Sequence, residues 1–483
     1  MPENLPLVNI LQQLAQRNES PFYAPGHKKG KGISTKLIEL LGEQVFRADL
    51  PELPELDNLF APESVIKKAQ DLAAATFKAQ QSWFLVNGSS CGLIAAILAT
   101  CKPGDKIVLP RNCHQSIFSG LILSGAMPVF LEPEYDPYWD LSYCFTPAAL
   151  ALALQEHPDA RAVLVTYPTY QGVTGNLGEI EKITHLRNIP LIVDQAHGAH
   201  FAFHGELPDC ALSLGADLVI QSTHKVLGSL TQSSMLHLQG NIVDPNRINR
   251  SLQLVQSTSA SYLLLASLDA ATAQMAQEGY SLLERTLNLA KSARAQLKSI
   301  EQLVILEQPL EPREGFQSLD LTRLSVRTSQ FGLTGFETDQ WLRQKRNIIA
   351  ELPNLHNLTF MITIGNLDQD ISNLVEALGL LVQQADKSIE IPLPLLPTLA
   401  QDPLYISPRE AFFCSNETVA YSSAIGRISG DLICPYPPGI PLIMPGERIT
   451  QAHLEYLTAI VNQGGIITGC QDSSLETLKV LLI

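Results

Sequence analysis

Residues 191–225 read LIVDQAHGAHFAFHGELPDCALSLGADLVIQSTHK, and within them one pattern occurs twice: a short apolar run that stops at a polar, chemistry-bearing residue. Leu191 to Val193 reads as a buried strand ending at Asp194, and Leu218 to Ile220 as another ending at Gln221-Ser222-Thr223-His224-Lys225. Working outward, further strand candidates fall at Trp83 to Val86, Lys106 to Leu109, Met127 to Leu131 and Ala162 to Thr166. Apolar-periodic helical stretches alternate with them from about Ser64 to Ile220, the signature of a mainly parallel sheet covered by helices on both faces. The expected class is therefore α/β. In open sheets of that kind the ligand sits beyond the carboxyl ends of the strands, so the residues just after each strand are where chemistry is to be sought.

Four groups occupy such positions. Lys225 follows the run ADLVI and precedes a Gly-bearing turn, VLGSL. A lysine held beside a sheet end can be desolvated, and its neutral amine is then a nucleophile toward a carbonyl; the bland reading is a solvated loop lysine. Asp194, 31 positions earlier, can pair with a protonated pyridine nitrogen, the part an aspartate plays in pyridoxal phosphate enzymes, or can simply cap a helix. Val86-Asn87-Gly88-Ser89-Ser90-Cys91-Gly92 is a strand end, a small-residue turn and a helix start, and free N–H groups plus two hydroxyls make a phosphate cradle. The same stretch also reads as an ordinary Ser N-cap. It lacks both G-x-x-x-x-G-K-[ST] and G-x-G-x-x-G, which argues against an NTPase or a nicotinamide enzyme. His114, in Arg111-Asn112-Cys113-His114-Gln115-Ser116 after the run KIVLP, can stack on an aromatic cofactor and move a proton, or be a satisfied turn residue. All four follow strands of one expected sheet and so share one edge.

The composition narrows the classes further. The chain has 483 residues, 45% of them hydrophobic and 17% charged, enough for a large buried core and too apolar for long disordered tracts. A net charge of −15 repels polyanions, so nucleic acid is not an expected partner. No apolar run is long enough to span a bilayer, Leu93 to Thr100 reads as a buried helix, and the N-terminus lacks the layout of a secretory signal. No membrane association is expected, and the expected location is cytoplasmic. Eight scattered cysteines without a C-x-x-C pair read as reduced thiols, and His197 and His200 lack the companions of a metal site. Ala260 to Ile300 reads as one or two long helices, and the proline-dense Ile391 to Pro408 as a linker before a smaller C-terminal unit.

Taken in order, PGHKKG (25–30), NGSS (87–90), RNCHQS (111–116), PTYQG (168–172), DQAHGAH (194–200), STHK (222–225) and PYPPGIP-x3-PGE (435–447) resemble the motifs of the ornithine/lysine/arginine decarboxylase family of fold-type I pyridoxal phosphate enzymes. The resemblance runs from about Phe22 to Thr450. It implies pyridoxal 5'-phosphate as cofactor and decarboxylation of a basic amino acid, arginine or lysine or else ornithine, to the corresponding amine (agmatine, cadaverine or putrescine) of polyamine metabolism. By the same resemblance Lys225 would bind the cofactor's aldehyde, Asp194 would pair with the pyridine nitrogen and Ala196 would pack beneath the ring. His114 would stack on the opposite face, with Lys225 or His114 as proton source. Ser89, Ser90, Ser222 and His224 would hold the phosphate, and His197 would lie close to the ring. No N-terminal wing domain is expected, because PGHKKG begins at Pro25. The implied organisation is an N-terminal arm (1–60), a cofactor-binding large domain (61–300), a small α+β domain (301–390) and a C-terminal family domain (391–483), in a homodimer or dimer of dimers. Asp431 is assigned no role. The acidic run Asp49 to Asp57, with four carboxylates in nine residues, is a candidate receptor for the substrate's distal cation or else a solvated loop. The alternatives are an aminotransferase or another lyase of the same fold, against which His114 and the C-terminal motifs weigh, and a regulatory homologue without turnover.

Overall fold

Seven short strands carry the α/β core: β1 (Gln81–Leu85), β2 (Lys106–Pro110), β3 (Met127–Leu131), β4 (Ala160–Thr166), β5 (Leu191–Asp194), β6 (Leu218–Gln221) and β7 (Ser234–Leu238). The computed structural model describes residues 4–311, 313–385, 391, 405–436 and 440–483. Residues 392–404 of the expected proline-rich linker, and 437–439 of the PYPPGIP motif, lie outside the described residues. Six of the strands fall where the apolar runs placed them, with ends shifted by two residues or fewer. The seventh, β7, was not expected: its sequence SMLHL interrupts the apolar run with a serine and a histidine, both fully buried.

The chain divides into two units, the first comprising Met1–Ala99, Ile192–Gly205 and Asp209–Leu283, the second Thr100–Leu191, Glu206–Pro208 and Glu284–Ile483. In the first unit the strand order is β1-β7-β6-β5. β5 and β6 are parallel, with Asp194 beside Ile220, and β7 runs antiparallel to both of its neighbours. All four residues of β5 and of β6 are buried, as strands covered on both faces must be. Five helices bear on the site and its support: α1 (Pro6–Gln16), α2 (Gly88–Thr100), α3 (Gln115–Ser124), α4 (Thr223–Val226) and α5 (Tyr262–Lys298). The stretch expected as one or two long helices is the single 37-residue α5. Its Asp269 accepts from the N–H groups of Leu7 (2.8 Å) and Val8 (3.2 Å), so a carboxylate satisfies the first turn of α1, whose own N-cap residue Leu5 has no side chain for the task.

In the second unit β4, β2 and β3 follow one another in parallel. A four-stranded antiparallel sheet is built from Val304–Ile305, Arg323–Arg327, Asn357–Met361 and Leu352–Pro353, and its core includes Leu324, Val326, Leu358 and Leu378. Toward the C-terminus, Asn416–Ala420 pairs with Thr477–Leu481 and Cys434–Tyr436 with Ile466–Thr468, around a core containing Ile433, Ile443 and Leu457. No helix among the described residues is long and apolar enough to cross a membrane.

Candidate active site

The turn from β1 to α2 takes two residues, Val86 and Asn87, before the helix begins at Gly88. Gly88 has φ +75°, a backbone conformation that only glycine adopts without strain, and so the chain reverses sharply and presents Ser89 and Ser90 in the first helical turn. Across from it, β6 ends at Gln221, and Ser222 begins the short helix α4 that carries His224 and Lys225. The Ser222 hydroxyl donates to Ser89 Oγ at 2.8 Å, which brings the two strand-end turns together through their hydroxyls. His224 Nδ1 lies 2.8 Å from the Ser233 carbonyl, so Nδ1 carries the proton. Burial holds this imidazole below its ordinary range, and it is a neutral ring at physiological pH.

Asp194 ends the neighbouring strand β5 and is 5% exposed. Its Oδ1 accepts from the Ala196 N–H at 3.1 Å. Burial pushes its carboxyl above the usual carboxylate range, while the charge of Lys225 and the Ala196 N–H pull it back. Ala196 and His197 follow and are buried too. Lys225 Nζ lies 3.0 Å from His197 Nε2, which joins the lysine after β6 to the histidine after β5. Ser89, Ser90, Asp194, Ala196, His197, Ser222, His224 and Lys225 thus all belong to the first unit, at the carboxyl ends of its strands or the turns that follow them.

His114 belongs to the second unit, directly after β2. It is the N-cap of α3, with Nδ1 accepting from the Ser116 N–H (3.2 Å) and lying 2.8 Å from Ser116 Oγ. This is the turn role that was the plainer alternative for a lone histidine, and it also fixes the ring, because a capping Nδ1 leaves the proton of the neutral imidazole on Nε2. Three residues earlier, Arg111 is 1% exposed and its guanidinium donates to the carbonyls of Pro441 (2.7 Å) and Leu442 (3.0 Å) and to Glu447 (3.1 Å). The RNCHQS and PGE motifs, more than 300 positions apart, therefore meet through a buried ion pair. Sequence reading did not find this pair, since neither local stretch reports the other.

The acidic run is engaged locally. Asp49 pairs with His27 (3.1 Å), Glu55 with Arg17 (2.5 Å), and Glu52 accepts from Asn58 Nδ2 (2.9 Å). Asp57 accepts from the N–H groups of Asn58, Glu63, Ser64 and Ile66 and organises the start of the following helix, Val65–Phe77. Among the described residues no group of three or more His, Cys, Asp or Glu side chains is placed to hold a metal ion.

A buried acid and a lysine at neighbouring strand ends, beside hydroxyls at a helix start, combine a countercharge for a ring nitrogen with an amine that can bind an aldehyde; the class this defines is that of fold-type I pyridoxal phosphate enzymes. The residues fit that cofactor. Asp194 is a buried carboxyl raised by its burial, which a cationic ring nitrogen would bring back to its charged form, and Ser89, Ser90 and Ser222 are short donors of the kind that hold a phosphate. The chain belongs to the Orn/Lys/Arg decarboxylase family: residues 5–314 match its major domain and residues 405–469 its C-terminal domain. It is 40% identical to the arginine decarboxylase of Bacillus subtilis (strain 168) over 482 residues, covering 99% of this chain and 97% of that one. To the lysine decarboxylase of Pseudomonas aeruginosa it is 27% identical, over 93% of this chain and 74% of that one. Among solved structures, the Francisella novicida lysine decarboxylase has the same fold, with a TM-score of 0.85 and 22% identity over 99% of this chain and 81% of that one.

Proposed function

We propose that this chain, a pyridoxal phosphate-dependent decarboxylase of a basic amino acid, takes arginine and releases agmatine and carbon dioxide. The observation that carries the choice of arginine is the 40% identity to an arginine decarboxylase along the full length of both chains, against 27% for a lysine decarboxylase of which 74% is covered.

When bound, pyridoxal phosphate supplies an electron sink for the pair left on the α-carbon as carbon dioxide departs. The remaining work falls to this chain's own residues. Asp194 stabilises a proton on the ring nitrogen, and its burial strengthens that pairing by excluding water. Ser89, Ser90, Ser222 and His224 hold the phosphate, with the Ser222 to Ser89 hydrogen bond setting the spacing of the two hydroxyls. By the family resemblance Ala196 would pack beneath the ring and His114 would stack on it; within its own unit the His114 ring is oriented by the capping bond to Ser116. Lys225 would hold the cofactor through its aldehyde and, as a free amine, would be a proton donor to the substrate's α-carbon, with His114 as the other candidate donor. His197 Nε2, 3.0 Å from Lys225 Nζ, steadies that amine. The reading includes a cytoplasmic location, a homodimer or dimer of dimers, a place in polyamine formation, and the organisation into arm (1–60), large domain (61–300), small domain (301–390) and C-terminal domain (391–483).

Release of carbon dioxide from carboxyl-labelled arginine, lysine and ornithine by the purified holoenzyme tests it. Arginine turning over with the highest kcat/KM is the expected result. Preference for lysine overturns the choice of substrate, and transamination without carbon dioxide release overturns the reaction.

A further inference from the structure

Behind the strand end that carries Asp194 runs a line of polar side chains, three from neighbouring strands and one from the residue just past the end of a fourth. Ser82 on β1 lies with its Oγ 2.7 Å from His237 Nδ1 on β7, and the two residues are direct partners in the β1–β7 register. His237 Nε2 is 3.2 Å from Gln221 Oε1 at the end of β6. Gln221 Nε2 donates to Gln195 Oε1 at 2.9 Å, just past the end of β5. Ser82 is 3% exposed, and His237, Gln221 and Gln195 are wholly buried.

The donor directions follow from chemistry. An amide oxygen only accepts, so Nε2 of His237 must carry the proton and Nδ1 must accept from the Ser82 hydroxyl. Burial pushes His237 down to about 3, which keeps the ring neutral and preserves that one-donor, one-acceptor state, and Phe77 stacks on it at 5.0 Å. The chain therefore runs in one direction, from Ser82 to Gln195. At its far end Gln195 is held three ways: Oε1 accepts from Gln221 and from Cys210 Sγ (3.5 Å), and its backbone N–H donates to Ile220 O (2.9 Å). Gln195 is the residue between Asp194 and Ala196, and fixing its peptide fixes the direction in which the Asp194 carboxylate leaves the strand end. A line this buried has an apolar alternative of equal volume, and a polar network in such a place adds uniqueness of geometry rather than net stability.

We infer that the Ser82–His237–Gln221–Gln195 line is a buttress that sets the position of Asp194, and that His237 is a positioning residue for the cofactor's countercharge. This rests on the reading of Asp194 as the partner of the pyridine nitrogen. Breaking the line at His237 leaves the acceptor of Gln221 unmet and lets the Gln221 amide turn away from Gln195, which loosens Gln195 and with it the aim of Asp194 without any cofactor contact having been changed.

The test compares pyridoxal phosphate affinity, read by titrating its visible absorbance and by dialysis, in four full-length proteins: wild type, His237→Met, His237→Gln and Leu236→Ala. Leu236 is fully buried on the same strand, so its truncation loosens the core without touching the polar line. His237→Met is expected to raise the dissociation constant on the order of tenfold, the usual effect of leaving a buried polar group unmet, and to shift the absorbance band. His237→Gln, which can still donate to Gln221, is expected to restore both. Leu236→Ala is expected to lower Tm with affinity within about twofold of wild type. Unchanged affinity and spectrum in His237→Met would overturn the inference, as would an equal loss of affinity in Leu236→Ala at an equal loss of Tm. Should His237→Met not fold, Gln221→Met breaks the same line one link closer and is judged by the same outcomes. A wild type that binds no pyridoxal phosphate overturns the reading of the site itself, and the inference with it.

Discussion

Lys225 Nζ and His197 Nε2 are 3.0 Å apart, so the lysine on the turn after β6 and the histidine after β5 share one hydrogen bond. Either partner can be the donor: an ammonium donates to a neutral imidazole, and a neutral amine accepts from an Nε2–H. The contact follows the lysine through a change of protonation, which a nucleophile that later returns a proton requires. His197→Leu removes it, and the expected result is a kcat lower by roughly ten- to a hundredfold with slower covalent attachment of the cofactor. Stopped-flow absorbance of pyridoxal phosphate added to the apoenzyme separates that step from turnover. His197→Gln, which keeps a donor and an acceptor, recovers part of the loss if the hydrogen bond is what matters.

Lys225→Ala leaves the hydroxyls and Asp194 in place and removes the amine. Turnover is expected to vanish while pyridoxal phosphate still binds reversibly, and borohydride is expected to fix the cofactor onto Lys225 in the wild type and to attach none to the variant. Mass spectrometry of the reduced, digested protein reads this directly, and a labelled peptide other than the one containing Lys225 would remove Lys225 from its assigned role.

Much of this site is legible in the sequence alone. Parallel strands buried on both faces are short apolar runs with abrupt polar ends, so β5 and β6 and the groups Asp194 and Lys225 that follow them can be read directly. β7 escapes because a serine and a histidine break its apolar run, and the histidine is a buried polar group whose partners, Ser82 and Gln221, lie on other strands. The Ser82–His237–Gln221–Gln195 line is a product of register between strands up to 155 positions apart, which no local window contains. The same holds for Arg111 and Glu447: each stands in a recognised motif, but their pairing depends on tertiary packing. His114 shows the limit differently, since its position after β2 is legible while its service as the cap of α3 needs the turn geometry.

The Arg111–Glu447 pair gives a stability prediction. Arg111 is 1% exposed and Glu447 8%, and Gly446, with φ +93°, lets the chain turn there beside the Ile406 carbonyl, where a Cβ would come within 2.6 Å of it. Glu447→Ala leaves a guanidinium buried with its carbonyl partners and no countercharge, and a loss of about 3–5 kcal/mol is expected. Glu447→Gln retains an acceptor and is expected to lose less. Denaturant titration at constant cofactor concentration measures both, and equal stability of Glu447→Ala and wild type would show the pair to be dispensable.

His237 also predicts a difference in acid sensitivity. Burial pushes it down to about 3, whereas in the unfolded chain it returns near the ordinary value of about 6.5. Between those values the unfolded chain holds a proton that the folded one refuses, so the stabilisation is fully present above about pH 6.5 and is lost as the pH falls toward 3. Asp269, raised to about 6 by burial, acts with the opposite sign, because there the folded chain binds the proton first. Asp269 is common to wild type and His237→Gln and cancels in the comparison. The denaturation midpoint of the wild type is expected to fall more steeply than that of His237→Gln from pH 7 to pH 4, and parallel curves would mean that His237 is protonated in the fold.

The remaining prediction concerns what recognises the substrate's side chain. The acidic run Asp49 to Asp57 was the candidate receptor, but its four carboxylates are committed to His27, Asn58, Arg17 and the N–H groups that begin the helix Val65–Phe77. Asp57→Ala is therefore expected to act through stability, with KM for arginine little changed. A distal cation still requires an anionic partner, because a guanidinium taken out of water without one costs several kcal/mol. Citrulline keeps the length and shape of arginine and loses the charge. If a buried carboxylate faces the guanidinium, citrulline leaves that carboxylate unpaired and kcat/KM is expected to drop on the order of a hundredfold or more. Lysine retains the charge on a shorter stem without the planar fork, so it should fall between the two, and norleucine should behave like citrulline. Comparable turnover of arginine and citrulline would mean that selection acts on length alone, with no carboxylate facing the side chain.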